Sequence, residues 1–346
     1  MAISAKRVSE LLSGPGELAL LDVREQGVHY RGHPFFACSA PLSRLELAIA
    51  DLVPRRSAPV VLLDGGNDGL AEKAFNKLHE LHYADVAVLE GGCSGWKEAG
   101  LELFGGVNVP SKAFGEFIEH HYGTPRIAPG ELKRLQGIKK VLVLDSRPFE
   151  EYHRMNIPGG IDVPGAELAW RVHDLAPDPD TLVVVNCAGR TRSIIGCQSL
   201  RNAGIPNPVV ALKDGTMGWE LAGFACERGA DRVAPPPSAE GMRRALAGAE
   251  RVAKRFQVRF CTYESLVSWK KDSSRTLYVL DGGNKGWTGD WEAGIERATT
   301  ATDDVWYKPY DHAADFEKHA REYLDWEVAL VEQIKRDPAI RFRAYS

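Results

Sequence analysis

The run Cys187-Ala188-Gly189-Arg190-Thr191-Arg192-Ser193 holds the residue types that make a reactive thiol. The apolar stretch Leu182 to Val185 before it reads as a buried strand that ends at Asn186. Gly189 lets the chain turn without a Cβ penalty. A helix is expected to begin near Ser193, whose hydroxyl can cap it. Loop amides would then converge on the Cys187 sulfur at a helix N-terminus, where negative charge is favoured. Arg190 and Arg192 add two cations, and together these groups favour thiolate over thiol. Such a cysteine is a covalent nucleophile suited to an anionic substrate. Most buried cysteines are inert small hydrophobes, but two arginines and a glycine at a strand end do not suit that role. Arg192 is the expected anion contact; for Arg190 a solvent-facing side chain is the alternative.

The elements that must position this loop occur twice. Asp22 to Asp145, Pro41 to Pro164, Asp64 to Cys187, Trp96 to Trp219 and Gly100 to Gly223 are each 123 residues apart. One offset at five landmarks marks a duplicated domain. Apolar runs at Leu18–Val23, Val60–Leu63, Val141–Leu144 and Leu182–Val185 read as buried parallel strands. Leu70–His82 and Ser193–Ala203 read as helices between them. The fold class is therefore α/β, with two doubly wound parallel sheets, and the reactive loop lies at the carboxyl end of a strand, where such sheets bind ligands.

Asp145-Ser146-Arg147, then Ile157-Pro158-Gly159-Gly160 and Val163-Pro164, resembles the opening motif of rhodanese domains. Cys187 to Arg192 resembles their six-residue active loop, and Gly215 with Gly218-Trp219 their closing motif. The chain is similar to thiosulfate sulfurtransferase-type proteins with tandem rhodanese domains. The resemblance implies a persulfide-forming Cys187, with Ala188, Gly189, Arg190, Thr191, Arg192 and Ser193 around the substrate and Asp145 and Arg147 in a structural role nearby. It implies a small sulfur donor and a thiol or cyanide acceptor, with a thioredoxin-like protein acceptor as a further option. Glu167, Trp170 and Arg171 fall on the segment that borders the pocket in the family. In the first unit Asp64 stands where the nucleophile should be, and Asp68 brings negative charge, so that unit is expected to be inactive. Two other readings stay open: a regulatory scaffold that binds partners, and a cysteine phosphatase or arsenate reductase. The latter use a loop one residue longer between Cys and Arg than the four here.

The expected organisation is an inactive unit over residues 1–104, a connector over 105–125, a catalytic unit over 126–228, a Pro-rich linker and helix over 229–259, and a truncated third unit with a terminal helix over 260–346. Thr276 to Asp281 looks like an opening strand, yet Gly282 to Trp287 already looks like a closing motif, so the middle of a domain is missing. The tail should dock on another unit or pair with a second chain. Ala313 to Ile334 has the spacing of an amphipathic helix.

Composition is that of a globular protein, with 44% hydrophobic and 26% charged residues and a net charge of −4. Nothing in it suggests nucleic acid or a membrane as partner. Six scattered cysteines without a CxxC pair, and no signal-like start, point to a reducing cytoplasm. Cys38 and Cys93 read as packing residues, and Cys197 as a buried helix residue more than a resolving thiol. His79 with His82, and His120 with His121, complete no metal set. No cofactor is implied.

Overall fold

The computed structural model describes residues 1–66, 68–278, 307–312 and 314–345. It holds ten short strands: β1 (Ala2–Ile3), β2 (Ala19–Asp22), β3 (Cys38–Ser39), β4 (Val60–Leu63), β5 (Val86–Leu89), β6 (Arg126–Ile127), β7 (Val141–Asp145), β8 (Ile161–Asp162), β9 (Leu182–Asn186) and β10 (Val209–Leu212). They form two five-stranded sheets, ordered β1-β5-β4-β2-β3 and β6-β10-β9-β7-β8, with every pairing parallel. The two orders are the same topology written twice. Register repeats as well: Asp22 opposes Leu63, and Asp145 opposes Asn186.

Helices cover both faces of each sheet, so the central strands are continuous apolar runs that turn polar only at their carboxyl ends, at Asp22, Asp145 and Asn186. All four residues of β4 are buried. Their side chains still alternate: Leu62 packs with Leu21 and Leu78 on one face, and Val61 and Leu63 with Leu20 and Trp96 on the other. In the second sheet Val183 and Val185 pack with Leu200, while Val184 packs with Trp219.

Three helices outside the two sheets position the site. A connector helix, Val109–Tyr122, lies against the helix Thr191–Ala203. The approach is close: a Cβ on Gly115 would sit 3.1 Å from the Thr191 Cα. A linker helix, Ala239–Arg255, is capped by Ser238 and packs on the second unit, where Arg251 donates to the Ala203 carbonyl at 2.7 Å. The last helix, Phe316–Ile334, follows a short turn at Pro309–Asp311 and lies along the connector helix. Its Leu330 and Ile334 share a core with Phe35, Phe104 and Val109.

The piece expected to open a third unit is only partly visible. Residues 279–281 of the expected strand, and Gly282 to Trp287, lie outside the described residues. Thr276 and Tyr278 form no strand; they bind the first unit, through Glu17 and through the Leu52 carbonyl at 3.1 Å. Among the described residues no helix is long and apolar enough to cross a membrane.

Candidate active site

Cys187 is the first residue beyond β9, and its sulfur turns back over the helix Thr191–Ala203, 3.4 Å from Ser193 Oγ. The helix starts two residues earlier than expected. Ser193 is inside the first turn and does not cap; its hydroxyl donates to the Arg190 carbonyl at 2.8 Å. The sulfur therefore sits at the positive end of the helix dipole.

Neighbouring elements draw the loop carbonyls the other way. The Cys187 carbonyl accepts from the Thr216 amide at 2.8 Å and its hydroxyl at 3.0 Å, and the Ala188 carbonyl accepts from the Met217 amide at 2.9 Å. This needs the helix Gly215–Leu221 to come very close: a Cβ on Gly215 would stand 2.3 Å from the Cys187 oxygen, and φ there is +54°. Only glycine fits that position without strain.

The two loop arginines face carboxylates. Arg190 is 4% exposed. It donates to both Glu116 oxygens at 2.7 Å, to Glu119 at 2.5 Å and to Asp214 at 3.2 Å. Burial works against its charge, and these carboxylates raise its pKa in spite of it. It is thus neither solvent-facing nor an open anion ligand: four of its five N–H donors are committed, and they fasten the connector helix to the loop. Arg192 makes a bidentate pair with Glu151 at 2.9 and 2.8 Å. Burial raises Glu151, but Arg192, Arg147 and Lys308 outweigh it and hold the carboxyl at about 2. Both arginines line the cavity with Cys187, but each is paired with carboxylates, so the loop charge is balanced locally, and the solvent-facing alternative for Arg190 is corrected.

Asp145 and Arg147 lie beneath the loop. Arg147 donates to both Asp145 oxygens at 2.8 Å and to the Met155 carbonyl at 2.5 Å, and Asn186 joins at 2.8 Å. Asp22 and Arg24 repeat the pair in the first unit, with His29 added at 2.8 Å.

At Asp64 the first unit shows the loop with a carboxylate in place of sulfur. Asp64 accepts from the Gly66 amide at 2.8 Å and the Ala71 amide at 3.1 Å; Asp68 accepts from Gly65 at 3.2 Å and Leu70 at 3.1 Å. Among the described residues, the Gly65, Gly66, Leu70 and Ala71 amides are thus taken by the loop's own carboxylates.

Above Cys187 opens a cavity of about 940 Å³. The second unit supplies its floor. The connector helix brings Lys112, and the C-terminal segment brings Lys308, Tyr310, Phe316, Tyr323 and Glu327.

A family model for the rhodanese-like domain matches residues 4–99 and 128–222, more than half of the chain. The chain belongs to the rhodanese-like family. A crystal structure of a thiosulfate sulfurtransferase from Pseudomonas aeruginosa is 50% identical and superposes with a TM-score of 0.77, covering 80% of this chain and 52% of that one. An HTH-type transcriptional regulator from Mycobacterium tuberculosis is 36% identical over 110 residues, covering 31% of this chain and 48% of the regulator. The chain thus spans about half the length of each. Both sheets described above are tandem rhodanese-like units.

Against this rhodanese framework, several expected residues lie elsewhere. Arg171 pairs with Glu167 and donates to the carbonyls of Ala234 and Pro235, at 3.0 and 2.6 Å, with its guanidinium over Trp170. Arg171 thus holds the Pro-rich linker, with Glu167 and Trp170 against its guanidinium, and none of the three lines the cavity. Cys93 and Cys197 are buried, and burial pushes each thiol up to about 12, the range of unreactive packing cysteines. Cys38 lies on the edge strand of the first sheet with part of its surface exposed, while burial of its thiol raises the pKa.

Sequence reasoning missed the roof. Glu327 is fully buried; its Oε1 accepts from Lys112 Nζ at 2.7 Å and from the Thr191 and Tyr323 hydroxyls at 3.2 Å. Burial disfavours the Lys112 ammonium, yet Glu327 and Tyr323 lift its pKa above the usual value. The Tyr310 hydroxyl reaches the Ala188 carbonyl at 3.4 Å. The helical period of the terminal segment was visible, but nothing in it names the loop as its partner.

Proposed function

We propose that this chain moves a sulfane sulfur from an anionic donor such as thiosulfate to a nucleophilic acceptor, a thiol or cyanide, through a persulfide on Cys187. One observation carries the reading: a cysteine stands at a strand end, on a helix N-terminus and under a cavity, where the duplicate unit has an aspartate that fills its own loop. The likeness to a protein named as a thiosulfate sulfurtransferase supports it.

In the first step the Cys187 thiolate attacks the outer sulfur of thiosulfate. A bond forms to Cys187, the donor S–S bond breaks, and sulfite leaves with the electron pair. The persulfide anion rests on the loop amides and the helix dipole. In the second step the acceptor takes the outer sulfur and Cys187 returns to thiolate. Ala188, Gly189, Thr191 and Ser193 serve as the amide cradle, while Arg190 and Arg192 set its shape and local charge. Asp145 and Arg147 brace the strand end, and Asp64 leaves the first unit without a nucleophile. The two steps as written call for no metal or other cofactor, and we place the reaction in a reducing cytoplasm.

Incubation with thiosulfate followed by intact-mass measurement tests this. One added sulfur atom that is absent from Cys187→Ala is the expected result. No added sulfur from any of several donors would overturn it, and hydrolysis of an aryl phosphate lost in Cys187→Ser would favour a phosphatase.

A further inference from the structure

Thiosulfate and cyanide are ions of a few atoms. A cavity of about 940 Å³ is at the upper end of the range, roughly 300–1,000 Å³, that holds drug-sized organic ligands. Its roof lies outside both rhodanese-like units, so the extra volume is built by the connector and C-terminal segments.

The wall has two chemical parts. Tyr310 and Phe316 stack at 5.2 Å and continue into Met217 and Leu221, an apolar surface beside the sulfur loop. Arg154 and Arg228 also line the cavity, and both are exposed. They are neighbours: Arg228 Nη1 donates to the Arg154 carbonyl at 3.4 Å, and Nη2 approaches Met155 Sδ at 3.6 Å. Arg190 and Arg192 are paired with carboxylates, but among the described residues neither Arg154 nor Arg228 has an acid within ion-pair distance. Glu220, also on the wall, lies beyond that distance. Single exposed arginines are usually just solvated. Two on one wall of a half-apolar cavity, with no acid within ion-pair distance, suit recognition of a carboxylate or phosphate.

Resting on the sulfur-transfer reading, we propose that Arg154 and Arg228 with the Tyr310–Phe316 wall form an acceptor subsite for an organic thiol that carries an anionic group remote from its sulfur. Cys187 is 2% exposed, which fits a slender small-molecule thiol better than a protein thiol. In the transfer the thiol sulfur bonds to the outer sulfur of the persulfide. The S–S bond to Cys187 breaks with its electron pair left on Cys187, and the thiol proton passes to the transferred sulfur.

The test uses 6-mercaptohexanoate and 6-mercaptohexanol, whose thiols are alike because the distinguishing group is remote. With full-length enzyme preloaded with sulfur, kcat/KM should be about tenfold higher for the acid. The ratio should fall towards one in Arg154→Gln/Arg228→Gln and with rising salt. Calorimetry with Cys187→Ala asks the same of binding alone, so it remains informative if no persulfide ever forms. Equal affinity for the two thiols, or a preference for the acid that survives in the double variant, would refute the subsite. Failure to load sulfur with the binding preference intact would refute the transfer chemistry and leave the subsite standing.

Discussion

Asp64 and Cys187 occupy equivalent positions, and the difference between them is more than the loss of a nucleophile. Asp64 and Asp68 satisfy the Gly65, Gly66, Leu70 and Ala71 amides. Restoring a thiol with Asp64→Cys therefore leaves Asp68 in the cradle, and no added sulfur should appear on the first unit in an intact-mass assay. Arg190 makes the complementary case. Removing it strands Glu116, which is 2% exposed, as a buried unpaired carboxylate. Arg190→Ala should cost about 3–5 kcal/mol of stability in a urea titration. A loss below about 1 kcal/mol would show a surface-like pair. Such pairs are poorly legible in sequence, because a buried arginine is written with the same letter as a solvated one. Arg190 and Glu116 are also 74 residues apart.

At the scale of elements, the strand-and-helix alternation and the 123-residue offset reach the sheets directly, because a duplicated core repeats its apolar spacing. Helix starts were less legible. The hydroxyl of Ser193 suits a cap, but the pull of Thr216 and Met217 on the loop carbonyls places the first turn at Thr191. That pull depends on Gly215. Gly215→Ala should lower kcat at least tenfold, with a stability loss of about 1–3 kcal/mol; an unchanged kcat would mean the loop does not need this approach. Strand β8 carries a pH-dependent term. Burial, then Asp145, pushes the Asp162 carboxyl up to about 7. A carboxyl raised on folding stabilises below its unfolded pKa, and that contribution is lost as pH rises through the folded value. Stability should thus fall between about pH 4 and pH 7 by more in the native protein than in Asp162→Asn. Parallel urea midpoints for the two across that window would contradict the assignment.

Over the whole molecule, the two repeats were legible and the closure of the site was not. Lys112 and Glu327 are 215 residues apart, and neither belongs to a repeat that could have announced the other. Gly106 shows how tight the closure is: a Cβ there would lie 2.3 Å from the Trp326 ring, at φ +97°. If the C-terminal segment covers Cys187 through the Lys112–Glu327 pair, Lys112→Ala should loosen the cover by leaving a buried charge unpaired. Alkylation of Cys187 by a bulky maleimide should then accelerate at least tenfold, and an unaltered rate would mean the cover does not limit access.

A shared roof also imposes an order on synthesis. The ribosome completes both sheets, the reactive loop and the connector helix before it reaches Lys308 through Glu327. Until those residues emerge, Lys112 and Thr191 lack their Glu327 partner and the cavity over Cys187 has no roof. The roof is therefore the part of the cavity made after both units and the connector helix have been synthesised.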